Sequence, residues 1–271
     1  MRYMRHEKIE IESKIGGFDS YISIESPVTE EQIKLFITHF KKAVAHIQAS
    51  PIRFFEEVLK DSIYPISTLG SFEDIMRNWR GKERDAVASY ASWANDEGMV
   101  FYYTDGLARA NIYISLIHEF AHKYHYIRIM DGGYNNEFFK KLYRSATRGT
   151  QKCYTNLLPK IGDSLSDLRE DWWNISSKVS SDDDYILTSI TQYEYIYETK
   201  DGKTIPILKE SVLERITCPS RYGATDHKEF FAEMITLITL GLVKPNQQVI
   251  ANKFMEGLAE YAGEKIGSQF L

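Results

Sequence analysis

The sequence predicts an α+β domain with a small twisted sheet, a long apolar helix and a mostly helical C-terminal half. Apolar residues recur at helical spacing over residues 30–48. Between residues 63 and 103, runs of apolar and aromatic residues separated by turn residues indicate strands. An apolar segment without Pro or Gly then covers residues 111–122, and a final helix is predicted from Pro245 onward.

The composition favours one domain without a nucleic-acid surface. The 271 residues are 43% hydrophobic and 13% aromatic, which is ample for a core, so we expect residues 1–271 to form a single domain. The net charge is -5, whereas binding to nucleic-acid phosphates depends on clustered Lys and Arg, so we expect no nucleic-acid partner. Cys153 and Cys218 lie far apart and outside any Cys-x-x-Cys pair, which predicts two free thiols.

The N-terminus and the hydropathy pattern indicate whether the chain carries a secretory signal or a membrane span. Residues 1–8 contain no apolar core of the kind that a secretory signal needs. No stretch approaches the ~20 apolar residues of a membrane span. We therefore expect a chain that is cytoplasmic as synthesised and has no membrane span, with export by a route that needs no cleaved signal left open. The sequence leaves the oligomeric state undetermined.

Two hairpins are predicted in the N-terminal half. Polar and apolar residues alternate around Gly16-Gly17, which predicts a hairpin over about residues 8–24. A second hairpin is predicted around the turn at residues 95–97, directly upstream of the apolar helix. An edge strand beside a cleft can pair with an extended peptide as one more strand. The sequence does not indicate which strand of this hairpin is the edge strand.

Local start signals place the first helices. Thr29 and Gln32 form a capping box in front of the helix at residues 30–48. Ser50-Pro51 predicts the start of a second helix that ends near Leu59.

The apolar helix carries a metal-binding pattern. We predict that it begins near Leu107 and ends at Asp131-Gly132-Gly133, and it contains His118-Glu119-Phe120-Ala121-His122. Residues four apart on a helix lie about 40° apart in projection and roughly 6 Å along the axis, so both imidazoles can reach one ion. A catalytic zinc site combines such ligands, at about 2.0 Å, with a water that a neighbouring carboxylate deprotonates. We interpret His118 and His122 as ligands of one Zn²⁺ ion and Glu119 as the general base.

Two histidines on a solvated helix face are the alternative interpretation. Leu116 and Phe120 predict instead that the helix is buried, where two histidines and a glutamate without partners would be costly. His125 lies roughly 10 Å along the helix axis from His118, too far to share one ion with it. We expect His125 to be a packed or solvent-facing residue.

Residues 146–210 look like an insertion. They contain Trp172-Trp173, an acidic run at residues 182–184, and a Tyr-rich hairpin turned at residues 200–203. One face of that hairpin carries three tyrosines: Tyr193, Tyr195 and Tyr197. These tyrosines could hold a peptide or could form an ordinary packed face, and the sequence leaves both open.

A later segment completes a family resemblance. Residues 220–233 read Ser-Arg-Tyr-Gly-Ala-Thr-Asp-His-Lys-Glu-Phe-Phe-Ala-Glu. Together with the His-Glu-Phe-Ala-His helix, this segment resembles gluzincin zinc metallopeptidases of the anthrax lethal factor catalytic-domain type, which also include the clostridial Pro-Pro endopeptidases. That family pairs such a helix with a later Tyr-Gly loop and a Glu-Phe-Phe-Ala-Glu helix. The resemblance covers about residues 86–130 and 220–271.

The resemblance implies a zincin-type metallopeptidase domain with one Zn²⁺ ion. It makes His118, His122 and Glu229 the metal ligands. It also makes Glu119 the general base, and Tyr222 the hydroxyl that supports the transition state. A residue that only packs its ring in the loop is the alternative interpretation of Tyr222.

The residues around Glu229 agree with this assignment. Asp226 followed by Glu229 is a helix-start signature, which holds Glu229 in a first turn. Glu229 and Glu233 are four apart and share a face, so one can bind metal while the other hydrogen-bonds the far nitrogen of a ligand histidine and fixes its tautomer. The alternative for Glu233 is a surface charge.

We therefore expect a zinc-dependent endopeptidase that acts on a protein or peptide substrate. One alternative is a zinc-stabilised interaction module or pseudoenzyme with the same ligands. Another is a SprT-like protease, whose third ligand is a His at a place where this chain has Tyr134. The long interval between His122 and Glu229 leaves the substrate and its cleavage preference open.

Overall fold

A computed structural model combines helices with two small sheets, an arrangement compatible with the predicted α+β class. It describes residues 4–11, 18–25, 28–59, 63–67, 88–91, 99–103, 112–129, 136–154, 185–191, 194–202, 204–208, 217–220 and 222–264. The strands are β1 (Met4–Ile11), β2 (Phe18–Glu25), β3 (Ile63–Ser67), β4 (Ala88–Ala91), β5 (Met99–Tyr103), β6 (Tyr185–Ile190), β7 (Glu194–Thr199) and β8 (Thr204–Leu208). The α-helices are α1 (Glu30–Ala49), α2 (Ile112–Arg128), α3 (Glu137–Tyr154), α4 (His227–Thr239) and α5 (Gln248–Ala262).

The larger sheet contains both predicted N-terminal hairpins. Its strand order is β1-β2-β3-β5-β4, with β1 and β4 antiparallel to their neighbours and β3 parallel to both β2 and β5. Among the described strands, β4 is therefore at the edge of the sheet and β5 is internal. The helix α2 packs against both of them. The predicted turns at Gly16-Gly17 and at residues 95–97 lie outside the described residues.

The first helix is confirmed together with its capping box. The Thr29 backbone N–H donates to Gln32 Oε1 at 2.8 Å, and the Gln32 N–H donates to Thr29 Oγ1 at 3.2 Å. The helix that we predicted after Ser50-Pro51, ending near Leu59, is present as a 3-10 helix at Arg53–Leu59. Its apolar residues Phe55, Val58 and Leu59 are buried.

Helix α2 runs through the centre of the core. It packs against α1, α4, the strands β4 and β5, and Arg53–Leu59. Phe120 lies edge-on to Phe40 at 6.1 Å between ring centroids. The expectation that His125 is packed is confirmed, because its ring is buried and stacks on Phe231 at 3.7 Å. The expected ends of this helix, near Leu107 and at residues 131–133, lie outside the described residues.

Helix α3 crosses residue 146, where we expected the insertion to begin. Its buried residues Phe139, Leu142 and Ala146 follow helical spacing, so α3 packs on the core up to the predicted boundary, and its backbone continues as a helix to Tyr154. Further on, β6, β7 and β8 form an antiparallel sheet with a turn at Gly202, whose φ is +79°. This confirms the Tyr-rich hairpin.

The second sheet presents apolar residues to solvent. Tyr195 pairs with Ile190 and Tyr197 pairs with Leu187, so these four side chains lie on one face. Ile190, Leu187 and Tyr195 are exposed. Tyr193, Trp172-Trp173 and residues 182–184 lie outside the described part of the chain. Among the described helices, none is long and apolar enough to cross a membrane.

A buried polar contact joins α2 to the end of α5. The Tyr124 hydroxyl, which is fully buried, donates to Glu264 Oε1 at 2.5 Å. Burial, followed by the charge of Glu264, raises the pKa of Tyr124 far above its ordinary value, so the phenol stays protonated and remains a donor. One helical turn further along α2, Arg128 donates to the Ala262 carbonyl at 3.3 Å.

We expect Tyr124→Phe to lower the free energy of unfolding by about 1–3 kcal/mol, because a buried carboxylate loses a hydrogen-bond donor while the ring packing is retained. Denaturant titration followed by circular dichroism measures the change. Tyr113→Phe is the matched control, since the ring contacts of Tyr113 with His46 and Lys42 do not need its hydroxyl. Equal stability of the Tyr124→Phe variant and the native protein would contradict a stabilising role for this contact.

Candidate metal centre

Helix α2 brings two imidazoles together. His118 and His122 are one turn apart, and both are buried in the interface with α4. Their Nε2 atoms lie 3.1 Å apart, and the two rings are nearly perpendicular at 81°. Both imidazoles therefore direct the same nitrogen toward one point, as the spacing of the His-Glu-x-x-His pattern predicts.

Helix α4 brings a carboxylate to the same point. Asp226 caps the helix, and its Oδ1 accepts hydrogen bonds from the backbone N–H groups of Lys228 at 2.6 Å and Glu229 at 3.2 Å. The cap fixes the first turn, in which Glu229 lies. Glu229 Oε2 is 3.1 Å from His118 Nε2 and 3.2 Å from His122 Nε2.

The three side chains fit a metal ion. Ligands bound at about 2.0 Å to a tetrahedral ion are about 3.3 Å apart. The three donor atoms lie 3.1, 3.1 and 3.2 Å from one another, which is close to one face of such a tetrahedron. Among the described residues, His118, His122 and Glu229 are the group of side chains that could hold a metal ion. Two nitrogens and one carboxylate oxygen suit a first-row divalent metal.

Glu233 orients one of the imidazoles. Its carboxylate is buried, and Oε1 lies 2.7 Å from Nδ1 of His118. A carboxylate this close favours a ring proton on Nδ1, which leaves the Nε2 lone pair for a metal, although the two groups are not aligned as a hydrogen bond. Glu233 is therefore close to the far nitrogen of His118, and because it is buried the alternative of a surface charge is wrong.

The electrostatics of the group favour a positive charge at its centre. Burial opposes a charge on His118, but polar contacts with Glu229 and Glu233 outweigh burial and raise the pKa of His118 well above its ordinary value. For Glu229, burial alone would raise the pKa. The charge of His122 and the hydrogen bonds with both histidines outweigh burial and lower the pKa of Glu229. The carboxylate is thus held in its ionised form, the form that binds a cation.

Glu119 follows His118 on α2 and is partly buried. Its negative charge contributes to raising the pKa of both His118 and Tyr222. Its position on α2, between the two histidines in sequence, is the one expected for a general base.

Tyr222 lies at the rim of the same group. Its ring centroid is 5.7 Å from that of His118, and the residue is 41% exposed, so it contacts both the site and solvent. Burial of the phenol, followed by the charges of Glu229 and Glu119, raises the pKa of Tyr222 far above its ordinary value. The hydroxyl is therefore protonated at neutral pH and can donate a hydrogen bond.

One residue that bears on the site escaped the sequence analysis. The hydroxyl of Tyr143, on α3, donates to the carbonyl of Ala224 at 3.0 Å, two residues after Tyr222. The two partners are 81 residues apart in the chain, and no local pattern connects them. Only the packing of α3 against α4 brings them together.

Comparisons of the chain with protein-family models, with curated proteins and with solved structures find no match. The interpretation of the site therefore depends on its own geometry and on the sequence patterns that place its residues.

We expect Glu233→Ala to weaken Zn²⁺ binding by about 10- to 100-fold, because His118 loses the partner that fixes its tautomer and ring orientation. Competition with a chromophoric chelator measures the affinity. Glu260→Ala, an exposed position on α5, is the matched control. Unchanged affinity in the Glu233→Ala variant would show that the contact with Nδ1 does not contribute to binding.

Proposed function

We propose that this chain is a zinc-dependent endopeptidase of the gluzincin type, which hydrolyses peptide bonds in a protein or peptide substrate. The observation that carries the proposal is the convergence of His118, His122 and Glu229 on one point, with Glu119 beside them. The resemblance of residues 220–233 to the second half of the lethal factor-type pattern supports it.

The donor set favours zinc as the metal. Two imidazole nitrogens and a glutamate form the ligand set of several zinc peptidases. The near-tetrahedral spacing of the three donor atoms suits Zn²⁺, which usually binds four ligands in a tetrahedron. Bound Zn²⁺ supplies a Lewis acid that lowers the pKa of a water molecule to about 7 and polarises the scissile carbonyl.

Glu119 carries the proton in this mechanism. Its carboxylate accepts a proton from the attacking water and then delivers it to the nitrogen of the leaving amine. His118 keeps its Nε2 lone pair for the metal throughout, since Glu233 lies against its Nδ1. The proton path therefore needs a single side chain on α2.

Tyr222 supports the oxygen that becomes charged. The phenol remains protonated because of burial and the nearby carboxylates, so it can donate a hydrogen bond to the carbonyl oxygen in the transition state. Its place at the rim, between the group and solvent, allows it to reach a bound substrate.

The surrounding fold suits an extended substrate. The zincin-type architecture that we propose needs a sheet whose edge strand borders the active-site helix. Here β4 is an edge strand of the five-stranded sheet and packs on α2. A peptide in extended conformation can add to that edge through main-chain hydrogen bonds.

The roles of the two glutamates can be separated by substitution. We expect Glu119→Ala to keep zinc and to lose roughly 10²- to 10⁴-fold in turnover, because it removes the proton carrier and no ligand. Glu229→Ala and His122→Ala should lose both zinc and activity, because each removes a ligand. Elemental analysis and cleavage of a proteome-derived peptide library measure the two properties.

The matched control for these variants is Glu137→Ala, an exposed position on α3. Equal zinc loss in Glu119→Ala and Glu229→Ala would contradict the assigned roles. Absence of any cleaved peptide with the zinc-loaded native protein would favour the interaction module instead.

We expect Tyr222→Phe to keep zinc and the KM for a cleaved peptide while kcat falls about a hundredfold, because a donor to the charged oxygen is lost. Steady-state kinetics on one peptide from the library measure both constants. An unchanged kcat would leave Tyr222 as a residue that only packs its ring.

A further inference from the structure

The loop that carries Tyr222 is fixed from several sides. We call residues 217–220 and 222–226 the Tyr222 loop. Within it, the Gly223 N–H donates to Ser220 Oγ at 2.9 Å, and the Thr225 N–H donates to the Tyr222 carbonyl at 3.0 Å. At its start, Gln247 Nε2 donates to the Cys218 carbonyl at 3.0 Å. These hydrogen bonds connect the loop residues to one another, so a displacement of one residue would also displace its neighbours.

Helix α4 supports one side of the loop. A Cβ atom at Gly223 would lie 2.9 Å from Pro219 Cγ and 3.2 Å from Glu233 Cβ, so only glycine lets the loop come this close to Glu233. Glu233 is also the partner of His118 Nδ1. The same side chain therefore orients a candidate ligand and limits how closely the Tyr222 loop approaches the centre.

Helix α3 supports the opposite side through Tyr143. Its ring lies edge-on to Phe230 at 5.9 Å and near His227 at 6.5 Å, which holds the hydroxyl against the first turn of α4. The hydroxyl donates to the Ala224 carbonyl at 3.0 Å. Burial raises the pKa of Tyr143, so the donor stays protonated.

We propose that Tyr143 is a positioning residue, whose hydrogen bond to the Ala224 carbonyl holds the Tyr222 loop at the distance that lets the Tyr222 hydroxyl support the transition state. This inference rests on the proposed function. A misplacement of about 1 Å at a reacting group can cost on the order of 10²-fold in rate, so a single loop contact outside the site can matter.

The first test is a double-substitution cycle of Tyr143→Phe with Tyr222→Phe. Tyr143→Phe keeps the ring packing and removes one hydrogen bond. Alone, it should lower kcat by about tenfold and leave KM and zinc content unchanged. In the Tyr222→Phe background it should have no further effect, because the hydroxyl that it positions is already absent. Tyr113→Phe, a matched change outside the site, should lower kcat in neither background.

The second test needs no activity. Amide hydrogen exchange of the full chain, followed by mass spectrometry, reports opening of the Tyr222 loop through peptides that cover residues 222–226. Tyr143→Phe should accelerate exchange there by about three- to tenfold, as expected when one hydrogen bond that closes a local unit is lost. Exchange in α2 should stay unchanged, since the contact does not involve that helix.

Three outcomes overturn the positioning role and leave the proposed function standing. One is a fall in kcat for Tyr143→Phe that persists in full in the Tyr222→Phe background. The others are a normal kcat in Tyr143→Phe and unchanged exchange over residues 222–226 in that variant. If Tyr222→Phe itself keeps full kcat, the role of Tyr222 fails and the inference fails with it. Full activity of Glu119→Ala would instead refute the proposed mechanism.

Discussion

The packing of α4 against α2 is the constraint on which the site depends. Phe230 and Phe231 are fully buried, and Phe231 stacks on His125 of α2 at 3.7 Å. Glu229 and Glu233 flank these two residues in sequence, four apart and on one face of α4. The helix rotation that buries the phenylalanines therefore also directs both carboxylates toward His118. A slip of one residue would turn α4 by about 100° and remove both contacts at once.

This arrangement explains how a buried group of charged and polar side chains can be tolerated. His118, His122 and Glu233 are each at most 8% exposed, and burial without partners would cost several kcal/mol for each ionised group, on the order given by transfer measurements. The contacts of His118 with Glu229 and Glu233 offset part of that cost. The donor atoms of His118, His122 and Glu229 converge on one point, so a cation bound there would offset more of that cost.

The parts of the fold that the sequence predicts are those with local causes. The capping box at Thr29, the cap at Asp226 and the spacing of His118 and His122 each act within one or two helical turns. The order of strands in the larger sheet does not, because β3 pairs in parallel with β2 and β5 through contacts distant in sequence. The helix predicted after Ser50-Pro51 ends at Leu59 as expected, but the start signal at Pro51 is compatible with either helix type and does not predict its 3-10 form.

The site also has one part with local causes and one part that depends on contacts between distant segments. Its metal-binding side is built within α2 and the first two turns of α4, so it can be predicted from two short segments and one interhelical contact. Its Tyr222 side is built from contacts between α3, α4 and the start of α5, which no short segment encodes. The two sides meet at Glu229, Glu233 and the ring of His118. If the proposed function holds, substitutions in the loop would change turnover while His118, His122 and Glu229 keep their places.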